Sequence, residues 1–461
     1  MALAVNLLVE TGCAFLCSVK SKMDKGKNMK TKAHTSSVFQ EISRRTLLRG
    51  AGAVVAGSAL TGLSSPAIAQ SRTIKIGLVM PQTGPLAFFS EHVEFVFGQL
   101  ERAFGGTIDV DGRQIAYEII TRDSQSNPNR ASEVASELIL NDGVDMMLAA
   151  ATPETTVPVS DVCELNGIPC LTNDTPIEPY FEARGGDPKK GFDWTNHYFF
   201  TGSDAGGSIL NMFQQIESNK NVGVLWANDG DGITYSKIQP PILNELGFSV
   251  TDPGRFDMPL SSYAAIVRKF REAEAELVWG VIPPPDFTTF WNEAAQQRYQ
   301  PKFVYCGKTN EFPAALEPFG ERAYNMTTEI WWAPQYPYSS TLTGQTSAEL
   351  AAEYETESGR QWSMPLGFRH SIFEVAFDAL KRTENLDDPA SIQAAISTTD
   401  MVTVCGPVNF STGPLPNTSA TPLAGGQWVP GDKYLLDLVI TENAFAPDVD
   451  VQAQTQPMKY T

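Results

Sequence analysis

Short runs dense in apolar, β-branched residues alternate along this chain with longer segments of helical period. The run TIKIGLVM at 73–80 stops at Pro81 and a Gly-Pro turn, which predicts a strand. Residues 88–104 read as a helix, 114–121 as a strand, and 128–140 as a helix with Pro128 in its first turn. A strand at 145–150, a helix at 155–165 and a strand at 168–172 continue the pattern. After a bridging segment at 197–200 the alternation begins again, with strands at 221–226, 276–281 and 302–305 separated by helices at 233–246 and 286–297. Strict βαβα order implies parallel sheets with helices on both faces. The expected fold class is therefore α/β, with two Rossmann-like lobes.

Ligands of such sheets sit beyond the carboxyl ends of the strands. Those ends carry Phe88 and Phe89 after the first strand, Thr152-Pro153 and Thr155 after the third, and Asn173-Asp174-Thr175 after the fourth. In the second half they carry Asp229 and Asp231, Pro283, and Lys308. Thr152 and Thr155 precede a helix, where a hydroxyl either caps the first turn or joins the backbone N–H groups in holding an anion. Pro283 opens a Pro-Pro-Pro-Asp-Phe stretch that either presents Phe287 to a ligand or makes a rigid turn. Trp331-Trp332 lines the cleft floor or packs between the lobes.

Composition narrows the function classes. A chain of 461 residues with 42% hydrophobic and 19% charged residues can bury a large core and should divide into lobes. The first seventy residues hold nine Lys/Arg and three Asp/Glu; without them 25 basic face 50 acidic residues, a net −25. That charge repels phosphate backbones, so nucleic acid is not expected as a partner. The leader at 1–69 contains the twin-arginine sequence Ser43-Arg44-Arg45-Thr46-Leu47-Leu48, a Gly/Ala-rich run at 50–63, and a small-x-small site ending at Ala69. The run is too short and polar to span about 30 Å of hydrocarbon. Export to the periplasm with cleavage near Ala69 is expected, from a start at Met1, Met23 or Met29. In an oxidising compartment Cys163 and Cys170, flanking a short Gly turn, are expected to form a disulfide. The four His residues are scattered, so no metal or other cofactor is expected. Gly307-Lys308-Thr309 lacks the upstream Gly of a phosphate-binding loop, and no GxSxG, HExxH or dinucleotide fingerprint occurs, so an enzyme is not expected.

Several segments resemble, in order, the type I periplasmic binding proteins of the branched-chain amino acid (leucine/isoleucine/valine-binding) family. They are Ile74-Lys-Ile-Gly-Leu-Val with Thr83-Gly-Pro-Leu, Arg122-Asp-Ser-Gln-Ser-Asn-Pro128, Pro158-Val-Ser-Asp161 with Gly167-Ile-Pro169, and Val404-Cys-Gly-Pro-Val-Asn-Phe410. The resemblance implies two lobes joined by three crossovers, near 199–201, 328–331 and 404–408, that close on a hinge around a solute. It implies a first lobe of 70–200 and 331–403 and a second of 201–330 and 404–445; the remaining residues, 446–461, read as a loose tail. It also implies a monomer that delivers its solute to the permease and ATPase subunits of an ABC importer, branched-chain amino acids first. Amides or urea, small aromatic or aliphatic carboxylates, and a sensor without a transporter are the alternatives. The family's carboxylate-holding positions fall at 151–153 and 173–175, and Phe89 stands where it has a Tyr. Its amine-pairing acid falls near Lys308, a reversal that favours an anion unless Asp229 or Asp231 restores the negative charge.

Overall fold

The computed structural model describes residues 72–460; the leader, its twin-arginine sequence and its cleavage site lie outside them. The first lobe is built on β1 (Thr73–Met80), β2 (Thr107–Val110), β3 (Arg113–Asp123), β4 (Met146–Ala150), β5 (Cys170–Asn173) and β6 (Thr195–Phe199). The second is built on β7 (Asn221–Trp226), β8 (Ser249–Thr251), β9 (Leu277–Val281), β10 (Phe303–Gly307) and β11 (Thr327–Ile330). Every residue of β4, β5, β9 and β10 is buried, as expected of parallel strands covered on both faces.

The remaining strands close the two sheets. The hairpin of β12 (Asp400–Thr403) and β13 (Gly406–Asn409) stands apart, β14 (Thr418–Ala420) joins the first sheet beside β6, and β15 (Leu423–Pro430) with β16 (Leu436–Phe445) completes the second. The strand orders are β14-β6-β5-β4-β1-β3-β2 and β16-β15-β11-β10-β9-β7-β8. In the first sheet the order reverses between β1 and β4, in the second between β7 and β9, and ligand crevices open at such switch points. Both sheets are mixed: β2 runs antiparallel to β3, and β15 antiparallel to β11 and β16.

Four expectations need correction. The third passage between sheets lies at Thr421-Pro422, between β14 and β15, not at 404–408; those residues form the β12–β13 hairpin, and three-residue β14 was invisible to pattern reading. The segment after 445 is not loose. Gln452 and Ala453 donate backbone N–H bonds to the Ile440 carbonyl, Met458 donates to that of Lys302, and Ala446, Val449 and Thr455 are buried. The first helix begins at Val93, after a single turn at Ala87–Ser90. Cys163 and Cys170 are buried free thiols, not a disulfide, packed with Val79, Val134 and Val159 as small apolar groups.

The hinge is walled with aromatic rings. Phe199 and Trp331 come from the first two crossovers and Phe368 from the helix Pro365–Arg382, with centroids 5.0–5.2 Å apart in edge-to-face contacts. The preceding residue, Gly367, lets the helix approach Trp332, since a Cβ there would stand 2.3 Å from the indole. Glu178 of the first lobe accepts N–H bonds from Gly202 (2.5 Å) and Ser203 (3.2 Å), fixing the first turn of the second lobe's leading helix, Gly202–Phe213.

Candidate functional site

Backbone geometry marks the site before any side chain does. Among the described residues twelve other than Gly have positive φ, and Ala151, Thr152, Asp174 and Lys308 among them sit where β4, β5 and β10 end. Such conformations cost on the order of 1–3 kcal/mol each and persist where the surroundings impose them, commonly at functional sites. They turn the chain sharply so that strand ends from both lobes face one cavity. A cavity of about 30 Å³ lies there between Phe89, Thr152, Asp174, Phe199 and Phe200 on one side and Asp231, Tyr235, Tyr305, Lys308, Glu311, Glu329 and Trp331 on the other.

The first-lobe wall is held by a rigid network. Arg369, 2% exposed, is paired with Asp174 and donates to Asn173 Oδ1 at 3.1 Å. Asn173 Nδ2 donates to Tyr198 Oη (2.9 Å) and to the Phe368 carbonyl (3.1 Å). His197 bridges Thr172 Oγ1 (2.8 Å) and the Thr175 carbonyl (2.7 Å), and burial pulls its pKa down to about 3, so a neutral ring fixes the end of β5. Asp174 keeps a free oxygen, Oδ1, and burial, against the pull of Arg369, raises its pKa to about 6. Thr152 does not cap its helix, Thr152–Asn166; its buried hydroxyl lines the cavity without a partner.

The second-lobe wall is carboxylate-rich. Lys308 Nζ lies 2.9 Å from Asp229 Oδ2, 2.9 Å from Asp231 Oδ2 and 3.4 Å from Glu154 Oε1. Burial opposes its charge, but Asp229, Asp231 and Glu154 outweigh burial and raise its pKa. Its three N–H donors are thus occupied by protein carboxylates. Burial raises Asp231 and Glu311 to about 7, and burial together with Glu311 beside it raises Glu329 well above the usual carboxylate range. Tyr305 Oη donates to Glu329 Oε2 at 2.6 Å, and Glu311 Oε1 accepts from the Lys308 N–H at 2.8 Å. Asp231 Oδ1 is buried without a partner, whereas the Glu311 and Glu329 carboxyls hydrogen-bond each other.

The structure brings Phe89, Thr152, Asp174, Asp231 and Lys308 of the sequence-derived set to one cavity. The others stand behind it or at its rim. Thr155 meets Ser124 (3.3 Å), Thr175 meets Thr156 (2.8 Å), and Asp229 caps the helix Gly230–Glu245 while holding Lys308. Pro283 precedes the helix Pro284–Gln296, a turn residue outside the lining. Phe88 meets Phe312 of the second lobe at the mouth, 5.5 Å between centroids. Pro153 faces Gly230 across the lobes. Sequence reading missed Tyr235, Tyr305, Glu311 and Glu329.

Glu154–Lys308, Phe89–Phe312 (4.9 Å) and Pro153–Gly230 are contacts made between lobes. A Cβ on Gly230 would lie 2.7 Å from Cβ of Pro153, a rigid ring that cannot swing away. Gly230→Ala should therefore penalise the closed arrangement by about 1–3 kcal/mol without touching either core. Solute affinity should fall roughly 5- to 150-fold with an unchanged melting temperature of the empty protein, measured by calorimetry and thermal denaturation. Unchanged affinity would show that the lobes do not meet there when solute is bound.

A family model described as "Periplasmic binding protein" matches residues 73–429. The chain is 25% identical over 232 residues to the Leu/Ile/Val-binding protein homolog 3 of Brucella melitensis, covering 49% of this chain and 58% of that one. It is 25% identical over 235 residues to an amino acid binding protein of Pseudomonas aeruginosa, covering 51% and 60%. These alignments thus span less than two thirds of either relative. Among solved structures, a leucine-binding protein from Thermotoga maritima superposes with a TM-score of 0.65 at 16% identity, covering 80% of this chain and 99% of that one. A solute-binding protein from Rhodopseudomonas palustris in complex with 3,4-dihydroxybenzoic acid gives 0.63 at 18% identity, covering 82% and 98%. At these identities the structural likeness establishes the fold.

Proposed function

We propose that this chain, which belongs to the family of periplasmic binding proteins, captures a small nitrogen-bearing solute between its lobes and delivers it to an ABC importer. One observation carries the reading. Residues from both lobes that keep a buried polar atom without a partner, Thr152 (Oγ1) and Asp174 (Oδ1) from the first and Asp231 (Oδ1) from the second, line one cavity. A buried polar atom without a partner costs about 1–3 kcal/mol, and a ligand that supplies the missing hydrogen bonds relieves that cost on closure. Only a solute with higher affinity for the closed form drives closure, and the closed form is the one that docks on the permease. No covalent step is needed.

The charge balance of the lining favours a protonated nitrogen. Amino acids, the class named for the Brucella and Pseudomonas relatives, and amines both provide one. A lone aromatic carboxylate, as in the Rhodopseudomonas complex, does not, because Lys308 is already held by Asp229, Asp231 and Glu154. The twin-arginine sequence and the small-x-small site before Gln70 support export to the periplasm.

A thermal-shift panel of amino acids, amines, amides and carboxylates tests the reading. Solutes carrying an ammonium should raise the melting temperature, in line with about 2.7 kcal/mol of stabilisation at a hundredfold excess over Kd. A shift with carboxylates alone, or with no solute at all, would refute it.

A further inference from the structure

We infer that the solute of this cleft is a small organic cation without a carboxylate, an amine or guanidinium with an apolar body, held by its charged nitrogen between Asp231 and Glu311. The inference rests on the proposed solute-binding function and narrows its ligand. It follows from which atoms of the lining lack partners. Among the described residues these are two carboxylate oxygens, Asp174 Oδ1 and Asp231 Oδ1, and the hydroxyl of Thr152, while Glu311 is bonded only within its own lobe, to the Lys308 N–H and the Glu329 carboxyl. All four side chains are buried to 3% exposure or less. Such a set asks for N–H donors.

An amino-acid carboxylate would need donors in turn, and the charged or backbone donors nearest it are largely spent. Lys308 Nζ is surrounded by Asp229, Asp231 and Glu154. The Thr152 N–H is given to the Asp174 carbonyl (2.9 Å), Pro153 has none, and Arg369 Nη2 is held by Asn173 and Asp174. The Thr152 and Tyr235 hydroxyls and Arg369 Nε remain, the first beside the free oxygen of Asp174, which repels an anion. The walls suit the opposite charge: Tyr235, Tyr305 and Trp331 offer aromatic faces, which attract an ammonium or guanidinium, and Phe199 and Phe200 offer apolar area for its body.

The cationic site also titrates. Facing Glu311 are Glu329, Tyr305, Tyr235, Asp231 and Lys308 of the second lobe, with Asp229 and Glu154 around Lys308 and the Asp174–Arg369 pair across the cavity. Asp231 and Glu311, raised by burial to about 7 in the empty cleft, ionise more readily once a cation lies between them. Cation binding therefore expels protons, and affinity must fall as the pH drops below 7, by up to roughly tenfold per unit for each proton.

Matched pairs that differ by one carboxylate decide the matter: leucine against 3-methylbutylamine, phenylalanine against phenethylamine, arginine against agmatine. Titration calorimetry of the purified protein at pH 8 should show at least one amine binding ten times or more tighter than its amino acid, with affinity falling at pH 5.5. Glu311→Gln should weaken that amine at least tenfold at pH 8 and flatten the pH profile, with circular dichroism unchanged. If the variant fails to fold, Asp231→Asn with the same readouts replaces it. Tighter binding of the amino acid in every pair, or a pH-independent amine affinity, would overturn the inference while leaving solute capture standing. Binding of neither member in any pair, with a shift from some other solute in the thermal panel, would overturn it too; no binding by any solute would refute both readings.

Discussion

Lys308→Met is expected to bind solute ten- to a hundredfold more weakly while remaining folded. The ammonium holds Asp229 and Asp231 of its own lobe and Glu154 of the other within 3.4 Å. Without it three carboxylates crowd one point, and like charges that close cannot all stay ionised. Opening the lobes removes Glu154 from the cluster, so that part of the repulsion falls on the closed state alone. About 1.4–2.8 kcal/mol against closure gives the stated loss. Glu154→Gln in the Lys308→Met background should restore much of the affinity, as a calorimetric double-mutant cycle would show. If Lys308 contacted the solute itself, Glu154→Gln would restore nothing.

Arg369→Met should cost about 3–5 kcal/mol of global stability, because it leaves the Asp174 carboxylate buried without its counter-charge. The loss reaches further than one pair, since Arg369 also holds Asn173, which ties the end of β5 to Tyr198 and to the Phe368 carbonyl. Urea unfolding measures it directly. Asp174→Asn added to Arg369→Met should recover a large share, since a neutral amide needs no cation. A loss under about 1 kcal/mol for Arg369→Met would show that Asp174 is neutral in the native protein.

The strands that position the cleft were legible because parallel strands buried on both faces leave continuous apolar runs. β1, β4, β5, β7, β9 and β10 all begin and end within two residues of where those runs do. Their carboxyl ends in turn located Thr152, Asp174, Asp231 and Lys308. What the runs do not carry is which strands pair at long range. Three-residue β14 finds β6 after more than two hundred residues of intervening chain, and its place moved the third crossover from 404–408 to Thr421-Pro422. The tail read as loose because its sequence is polar, yet its bonds to Ile440 and Lys302 are made by backbone atoms, which leave no composition signal.

The charge of the site stayed open in the sequence for a similar reason. Lys308 favoured an anion unless Asp229 or Asp231 restored the negative charge; both meet it from the start of one helix, and Glu154 joins them from a helix of the other lobe. Glu329 lies on a strand whose four residues are all buried, and Glu311 lies in a turn; nothing local tells an acid facing a cleft from one facing water. The Thr152 hydroxyl shows the converse. Sequence left capping and ligand contact equally open, and the positive φ at Ala151 and Thr152 turned the hydroxyl away from the helix end and into the cavity.

The central claim, a solute enclosed between two lobes with its charged nitrogen on the second, is tested most directly by a crystal structure with the solute that gives the largest thermal shift. The nitrogen is predicted within hydrogen-bonding distance of Asp231 Oδ1 and Glu311 Oε2, with the Lys308–Glu154 contact kept across the lobes. A solute bound outside the cleft, or one whose carboxylate had displaced Glu154 from Lys308, would contradict it.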